Sequence, residues 1–338
     1  MEQYIINSWV MENLKWDATI KKRIMQYFGD YQHIRWQYII ENKLHFESEK
    51  HKISESINEI NSLKTVYKQD LKNMMDLGIG VVSPLNYNYP IVLKNYKPLV
   101  KLLYSKGNLD ILSKRCISIV GTRHPNQYTQ IKTKELSSKL ASIGICLVSG
   151  CAMGVDSIVH NSAGYDNTVG VVANGLDIRY PAVNKKMIEQ IEKQGLMLSS
   201  FPLGHTAREY NFVQRNKTVV ELGEVLVVAQ ADMNSGSMRS VEFARKLGKQ
   251  IYVLPHRIGE SEGTNYLLKN DLAKPIYDID EFVALFGSVD KNSMSDEFLE
   301  FCKTNPTYDD AVALYGTKVF EYELMGKIDI INGVITIV

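Results

Sequence analysis

Short apolar runs recur along the middle of the chain at 116–120, 145–148, 168–172, 196–198, 225–229 and 251–254. Both parities within each run are mostly apolar, which predicts strands covered on both faces, as in a parallel sheet. Between most of them lie stretches with apolar residues at helical spacing, notably 131–143, 183–194 and 237–247. That alternation predicts an open α/β domain with right-handed crossovers.

The two ends have different rhythms. Residues 1–78 read as mostly helical. The segment 18–28 sets Ile20, Ile24, Met25, Tyr27 and Phe28 among basic residues, and 63–77 predicts another helix with Gly78 as its stop. The polar stretch 47–62 keeps Ile53, Ile57 and Ile60 at a spacing that fits a small amphipathic helix. Residues 79–113 form a connector containing Pro84, Pro90 and Pro98, ending in a short strand near 99–104. In the last segment, 288–338, helices are expected at 298–302, 308–314 and 318–325, then strands at 328–331 and 334–338. Asn332-Gly333 between those strands is a hairpin signal. Three helices and a hairpin suggest a winged-helix module; a small dimerisation or capping domain fits the pattern equally well.

Composition narrows the function only a little. A chain of 338 residues has room for two or three domains, and 45% hydrophobic residues support a real core. The net charge of +1 means that any nucleic-acid contact must come from a local basic patch. Cys116, Cys146, Cys151 and Cys302 are too scattered for a zinc motif and read as reduced, near-core residues of a cytosolic protein. No signal peptide and no uninterrupted apolar span of membrane length is expected.

Three strand-end turns carry the candidate chemistry. The first is Gly121-Thr122-Arg123, where a tight turn exposes N–H groups beside a hydroxyl and a guanidinium fork. The second runs from Ser149 through Gly150, Cys151, Ala152, Met153 and Gly154 to Asp156; it is neither a dinucleotide fingerprint nor a Walker loop. Asp156 and His160 are four residues apart on one helix, a spacing better suited to a structural pair than to a metal site, which would need another ligand. The third is Asn234-Ser235-Gly236-Ser237, opening a helix with hydroxyls and free N–H groups. Turns at strand ends converge on one edge of an open α/β sheet, so together they predict an anion site. Between them, Phe212, Arg215, Asn216 and Lys217, with His205 and Arg208 upstream, suit phosphate contacts and a stacked base. A core Phe212 with the cations in solvent fits the same spacing.

These residues, taken in order, closely resemble the DNA-processing protein A family, also called DprA or Smf, over 79–286. The resemblance rests on Tyr89-Pro90, the run from Leu103 to Asn108, and Val120-Gly121-Thr122-Arg123. It continues through the run from Ser149 to Asp156 with His160, Asn174-Gly175-Leu176-Asp177, Tyr180-Pro181 and Asn184. Pro202-Leu203-Gly204, Phe212, Arg215-Asn216-Lys217, Ser235-Gly236-Ser237 and Gly263-Thr264-Asn265 with Leu267-Leu268 complete it. It implies an extended Rossmann-like parallel-sheet core at 79–287 that binds single-stranded DNA and forms a homodimer. It also implies a small helical domain at 1–78, for which a SAM-like fold is one candidate, and a winged-helix-like domain at 288–338. By the same resemblance Gly121, Thr122, Arg123, Phe212, Arg215, Asn216, Lys217, Ser235, Gly236 and Ser237 touch the DNA, which is delivered to the recombinase RecA during natural transformation. A cytoplasmic, non-enzymatic protein without cofactor, metal or membrane insertion is implied. Met153, Ser200, Gln230 and His256 depart from the family's usual arginine, glutamate, acidic residue and glycine.

Two other functions compete. A nucleotide-binding or nucleotide-hydrolysing α/β enzyme needs a positioned acid or base; Glu224, Asp232 and Glu242 are available, but their spacing specifies no pair. A purely structural interaction protein is the other.

Overall fold

Nine strands form one mixed sheet in the order β1-β2-β6-β5-β4-β3-β7-β8-β9. The strands are β1 (Gly80–Val82), β2 (Leu103–Gly107), β3 (Cys116–Val120), β4 (Cys146–Gly150) and β5 (Thr168–Val172), then β6 (Leu196–Ser199), β7 (Leu226–Val228), β8 (Ile251–Val253) and β9 (Lys274–Pro275). The computed structural model describes residues 2–14, 18–28, 33–41, 57–83, 89–90, 93, 102–287 and 297–337. The chain divides into two compact units, Met1–Phe286 and Gly287–Val338.

From β3 to β9 every pairing is parallel, whereas β2 runs antiparallel to both β1 and β6. The expected parallel core is thus extended at one edge by antiparallel β1 and β2, where antiparallel pairing needs no helical crossover. Of the strand expected near 99–104, residues 99–101 lie outside the described residues; β2 runs Leu103–Gly107, with Leu103, Tyr104 and Ser105 buried. The six strands predicted between 116 and 254 lie within about two residues of those bounds, whereas β1 and β9 were not anticipated.

Alternate residues of each strand feed different apolar layers, as a two-faced sheet requires. On one face Cys116, Val120, Cys146 and Val148 meet Val219 and Val220 of α8 (Glu209–Leu222), Val241 and Ala244 of α9 (Gly236–Lys246) and Leu267 of α10 (Glu262–Lys269). On the other, Ile117, Ile119 and Leu147 meet Leu136 and Leu140 of α5 (Gln127–Ser142), Val155 and Val159 of α6 (Val155–Ala163) and Phe282 of α11 (Ile279–Ala284). A further cluster joins α7 (Lys185–Gln194), β5 and β6 to the described N-terminal helices α1 (Glu2–Asn13), α2 (Ala18–Phe28), α3 (Trp36–Glu41) and α4 (Ile57–Asp76). Of the amphipathic helix expected at 47–62, residues 47–56 lie outside the described residues, and 57–62 belong to the start of α4.

Helix α8 was not anticipated by the periodicity, because its inward face includes polar Asn211, Arg215 and Thr218 beside Val219 and Leu222. Its start is held by Asn211, whose Oδ1 accepts the Arg208 N–H at 3.0 Å. Ser118 of β3 donates to the Val219 carbonyl at 2.6 Å, fastening α8 to the sheet centre.

The second unit comprises α12 (Glu297–Cys302), α13 (Tyr308–Tyr315), α14 (Lys318–Leu324), β10 (Ile328–Ile331) and β11 (Val334–Ile337). Ile331 pairs with Val334, and Asn332 and Gly333 both have positive φ, the two-residue turn their sequence predicts. Phe298, Cys302, Ala311, Val319, Ile328 and Ile335 form its core. Among the described residues of the whole chain, no helix is long and apolar enough to cross a membrane.

Candidate nucleic-acid interface

Strands β4 to β6 lie on one side of β3 and β7 to β9 on the other. The loops after β3 and β7 therefore diverge, leaving a crevice at the carboxyl ends of the strands, where open α/β sheets take their ligands. Backbone bonds fix its walls. The Thr122 N–H donates to the Gln230 carbonyl at 2.9 Å, and the Val155 N–H donates to the Thr122 carbonyl at 3.1 Å. These bonds tie the β3 turn to the β7 loop and to the start of α6. Gly154, at φ +77°, lets that helix approach; a Cβ there would stand 2.5 Å from the Thr122 and Arg123 carbonyl oxygens.

The crevice is a cavity of about 300 Å³. Nine of the ten predicted residues line it: Gly121, Thr122 and Arg123 from the β3 turn; Phe212, Arg215 and Asn216 from α8; and Ser235, Gly236 and Ser237 from the start of α9. The exception is Lys217. Its side chain is half exposed and lies 3.6 Å from Glu221 on the same helix. Successive helical residues turn by about 100°, so position 217 faces away from position 215.

The two arginines play different parts. Arg123 is exposed, with its guanidinium carbon 5.6 Å from the Phe212 ring centre. Arg215 lies 5.9 Å from the same ring but is buried. Its Nη1 donates to the Val171 carbonyl at 3.0 Å and its Nε to Asn216 Oδ1 at 3.0 Å. Phe212 is half-buried between them, with Tyr180 6.2 Å away on a tilted plane. It is neither a core residue nor a free one.

Gly150 supplies the floor. A Cβ at this position would overlap Arg215 Nη1 and Asp156 Oδ2, so only glycine lets the guanidinium lie across the end of β4. Among the described residues, Asp156 is the one carboxylate lining the cavity. Burial pushes its carboxyl above the usual carboxylate range, against the pull of the Arg215 charge and the Ala152 N–H. Asp156 and His160 are not bonded to each other. His160 is fully buried, with Nδ1 2.5 Å from Thr168 Oγ1 and Nε2 2.5 Å from the Gly150 carbonyl. Burial pushes its imidazole down to about 4, so the ring is neutral near pH 7 and donates from Nε2 to that carbonyl.

The start of α9 lines the cavity with groups that can hold an anion. Ser235 caps it by accepting the Met238 N–H at 3.4 Å, and its first turn has no acidic residue. The N-terminal N–H groups and the positive end of the helix dipole are thus left facing the cavity. Asn216 Nδ2 donates to the Gly236 carbonyl at 3.2 Å, joining α8 to this turn. Ser240, one turn after Ser237, lines the cavity with a buried hydroxyl that has no protein partner. Sequence reasoning missed Ser240, though its i, i+3 spacing from Ser237 marks a polar helix face. Tyr180 was noted only through the resemblance, yet with Met153 it lines a small pocket of about 50 Å³ on the other side of Phe212.

Gln230, one of the departures, uses its side-chain oxygen to accept the Asn126 N–H at 3.0 Å, just before α5. His256 Nε2 lies 2.8 Å from the Ala229 carbonyl, with its ring edge-on to Tyr128. Nothing in the structure explains Ser200. The carboxylates considered for catalysis do not converge on the cavity. Glu224 pairs with Arg115 at the opposite ends of the strands, Glu242 with Arg239, and Asp232 is exposed.

Comparison with known proteins gives a consistent picture. The Smf protein of Synechocystis is 30% identical over 251 residues, covering 71% of this chain and 62% of its own length. A DNA processing protein DprA of Streptococcus pneumoniae is 31% identical over 191 residues, covering 55% of this chain and 67% of its own. The chain spans about three-fifths of the length of the Synechocystis and Mycobacterium tuberculosis relatives. Among solved structures, the DNA processing protein A of Helicobacter pylori, described for its single-stranded DNA binding mode, superposes with a TM-score of 0.58. It is 35% identical, covering 61% of this chain and 95% of its own. The X-ray structure of the Streptococcus pneumoniae protein has a TM-score of 0.66 at 24% identity, over 82% of this chain and 96% of its own, and shares the fold. The sequence model for DNA recombination-mediator protein A matches residues 80–287, more than half the chain, and the protein therefore belongs to that family, the DprA/Smf family.

Proposed function

We propose that the cavity at the β3/β7 crevice grips the phosphate backbone of single-stranded DNA. The carrying observation is the convergence of the Gly121 and Ser235 turns with Arg123 and Arg215 on either side of Phe212. Arg123 and the α9 N–H groups hold a phosphate, Arg215 sets the shape and charge of the floor, and Phe212 offers a face to a base. Phosphates carry no base code, so binding has little sequence preference, and a half-enclosed aromatic ring favours strands whose bases are free. The protein acts as a binder rather than an enzyme, in the cytoplasm. It protects incoming DNA and passes it to RecA during natural transformation. Residues 1–78, 79–287 and 288–338 serve as helical, DNA-binding and winged-helix-like domains.

Family membership and the Helicobacter pylori relative's single-stranded DNA binding support this reading. A homodimer through the central domain is part of it. Fully exposed Ile258, with Met233 and Tyr266, lines an open depression beside α10, an apolar surface suited to a second copy.

The test is a salt titration of a fluorescent thymidine oligonucleotide on folded variants. Arg123→Ala should weaken binding across unrelated sequences and flatten the log–log salt slope by about 0.7, the value of one phosphate contact on a single strand. Lys217→Ala should leave both unchanged. Wild-type affinity and slope in Arg123→Ala would show that the DNA lies elsewhere.

A further inference from the structure

The unit Gly287–Val338 has the element order of a nucleic-acid reader and an opposing surface chemistry. In a winged-helix or helix-turn-helix reader, one helix enters a groove and surrounding cations hold the phosphates. Here residues 297–337 carry seven carboxylates and three lysines, a net of four negative charges, with no arginine or histidine. All three lysines are engaged within the unit. Lys303 pairs with Glu300 at 2.5 Å. Lys318 lies 5.4 Å over the Tyr322 ring and 5.9 Å over Phe298, and Lys327 lies 4.7 Å over Tyr322.

Helix α14 buries Val319 and packs Tyr322 against the core. Its outer side and the following residue show Phe320 at 48%, Leu324 at 89% and Met325 at 63% exposure. Phe320 and Leu324 are one turn apart and so share a face; Glu321 and Glu323, both exposed, flank it. Scattered exposed leucines are ordinary, but three large apolar side chains within six residues, beside Glu321 and Glu323 in a net-negative unit, mark a contact surface.

We propose that α14 and its C-terminal turn dock a basic amphipathic helix of a partner protein, seating its apolar side on Phe320, Leu324 and Met325 and its cations against Glu321 and Glu323. Charge selects this occupant. The four net negative charges of residues 297–337 disfavour a phosphate backbone, an anionic membrane or a second copy of the same unit, although Lys318 and Lys327 balance Glu321 and Glu323 within the face itself. A basic helix gains both burial and attraction.

The probe is a fluorescent 18-residue leucine/lysine amphipathic peptide, titrated into the full chain beside a leucine/glutamate counterpart and a 20-base-pair duplex. The leucine/lysine peptide should bind the wild type, bind Leu324→Ser at least about tenfold more weakly, and lose most of its salt dependence in Glu321→Gln/Glu323→Gln. Leu324 is nearly bare, so its replacement leaves the fold intact, and Phe320→Ser provides a second, independent loss. Equal peptide binding by all variants, or equal binding of the leucine/glutamate peptide, overturns the proposal. So does duplex binding that falls with Leu324→Ser, which would assign the face to DNA, or a drop in sedimentation coefficient in that variant, which would assign it to a second copy.

Discussion

His160 offers a quantitative test of how the floor of the cavity is built. Its ring is fully buried, and burial lowers its pKa from 6.5 to about 4. Above about pH 7 the ring is neutral in both folded and unfolded chains and adds no pH dependence. Below 6.5 the unfolded chain takes up the proton first, so stability falls as pH is lowered and levels off only when the folded ring titrates near 4. The shift corresponds to about 3 kcal/mol in full, and about 2 kcal/mol of it is lost by pH 5. His160→Gln retains an N–H for the Gly150 carbonyl and does not titrate. Urea unfolding at pH 7 and pH 5, followed by fluorescence of the buried Trp9 and Trp36, should show the wild type losing about 2 kcal/mol more than this variant. Carboxylates titrating in both proteins cancel in the comparison. Equal losses, or an imidazole NMR titration with its midpoint above pH 6, would refute the assignment of His160 as a buried neutral clamp.

Two further outcomes follow from the same geometry. Gly150→Ala puts a methyl group where Arg215 and Asp156 pack; it should cost about 1–3 kcal/mol of stability in urea unfolding and reduce DNA affinity in the oligonucleotide titration. Ile258→Lys, which places a charge in the exposed apolar depression beside α10, should shift the full chain from dimer to monomer in sedimentation equilibrium while leaving its circular dichroism unchanged.

Much of the core is local information. Strand positions were legible because 116–120, 168–172 and their counterparts are apolar at both parities, and this alone requires a sheet covered on both faces. The turns at Gly121 and Ser235 were legible because glycine, hydroxyl and asparagine side chains satisfy backbone groups within a few residues of themselves. Asn332-Gly333 announced its hairpin for the same reason.

The tertiary structure decided what depends on partners far along the chain. Helix α8 escaped the periodicity because its inner face buries Asn211, Arg215 and Thr218, which can be buried only when given hydrogen bonds. The carbonyl that holds Arg215 belongs to Val171, 44 residues away. Once α8 is a helix packed by Val219 and Leu222, its rotation is set, turning Arg215 inward and Lys217 outward towards Glu221. Adjacent cations in a sequence therefore have unlike roles. The crevice itself arises because β3 pairs with β7 as well as β4, a choice among strands separated by more than 100 residues. Local patterning specifies which segments bury their faces; only the assembled sheet specifies which polar groups are brought together and which remain in water.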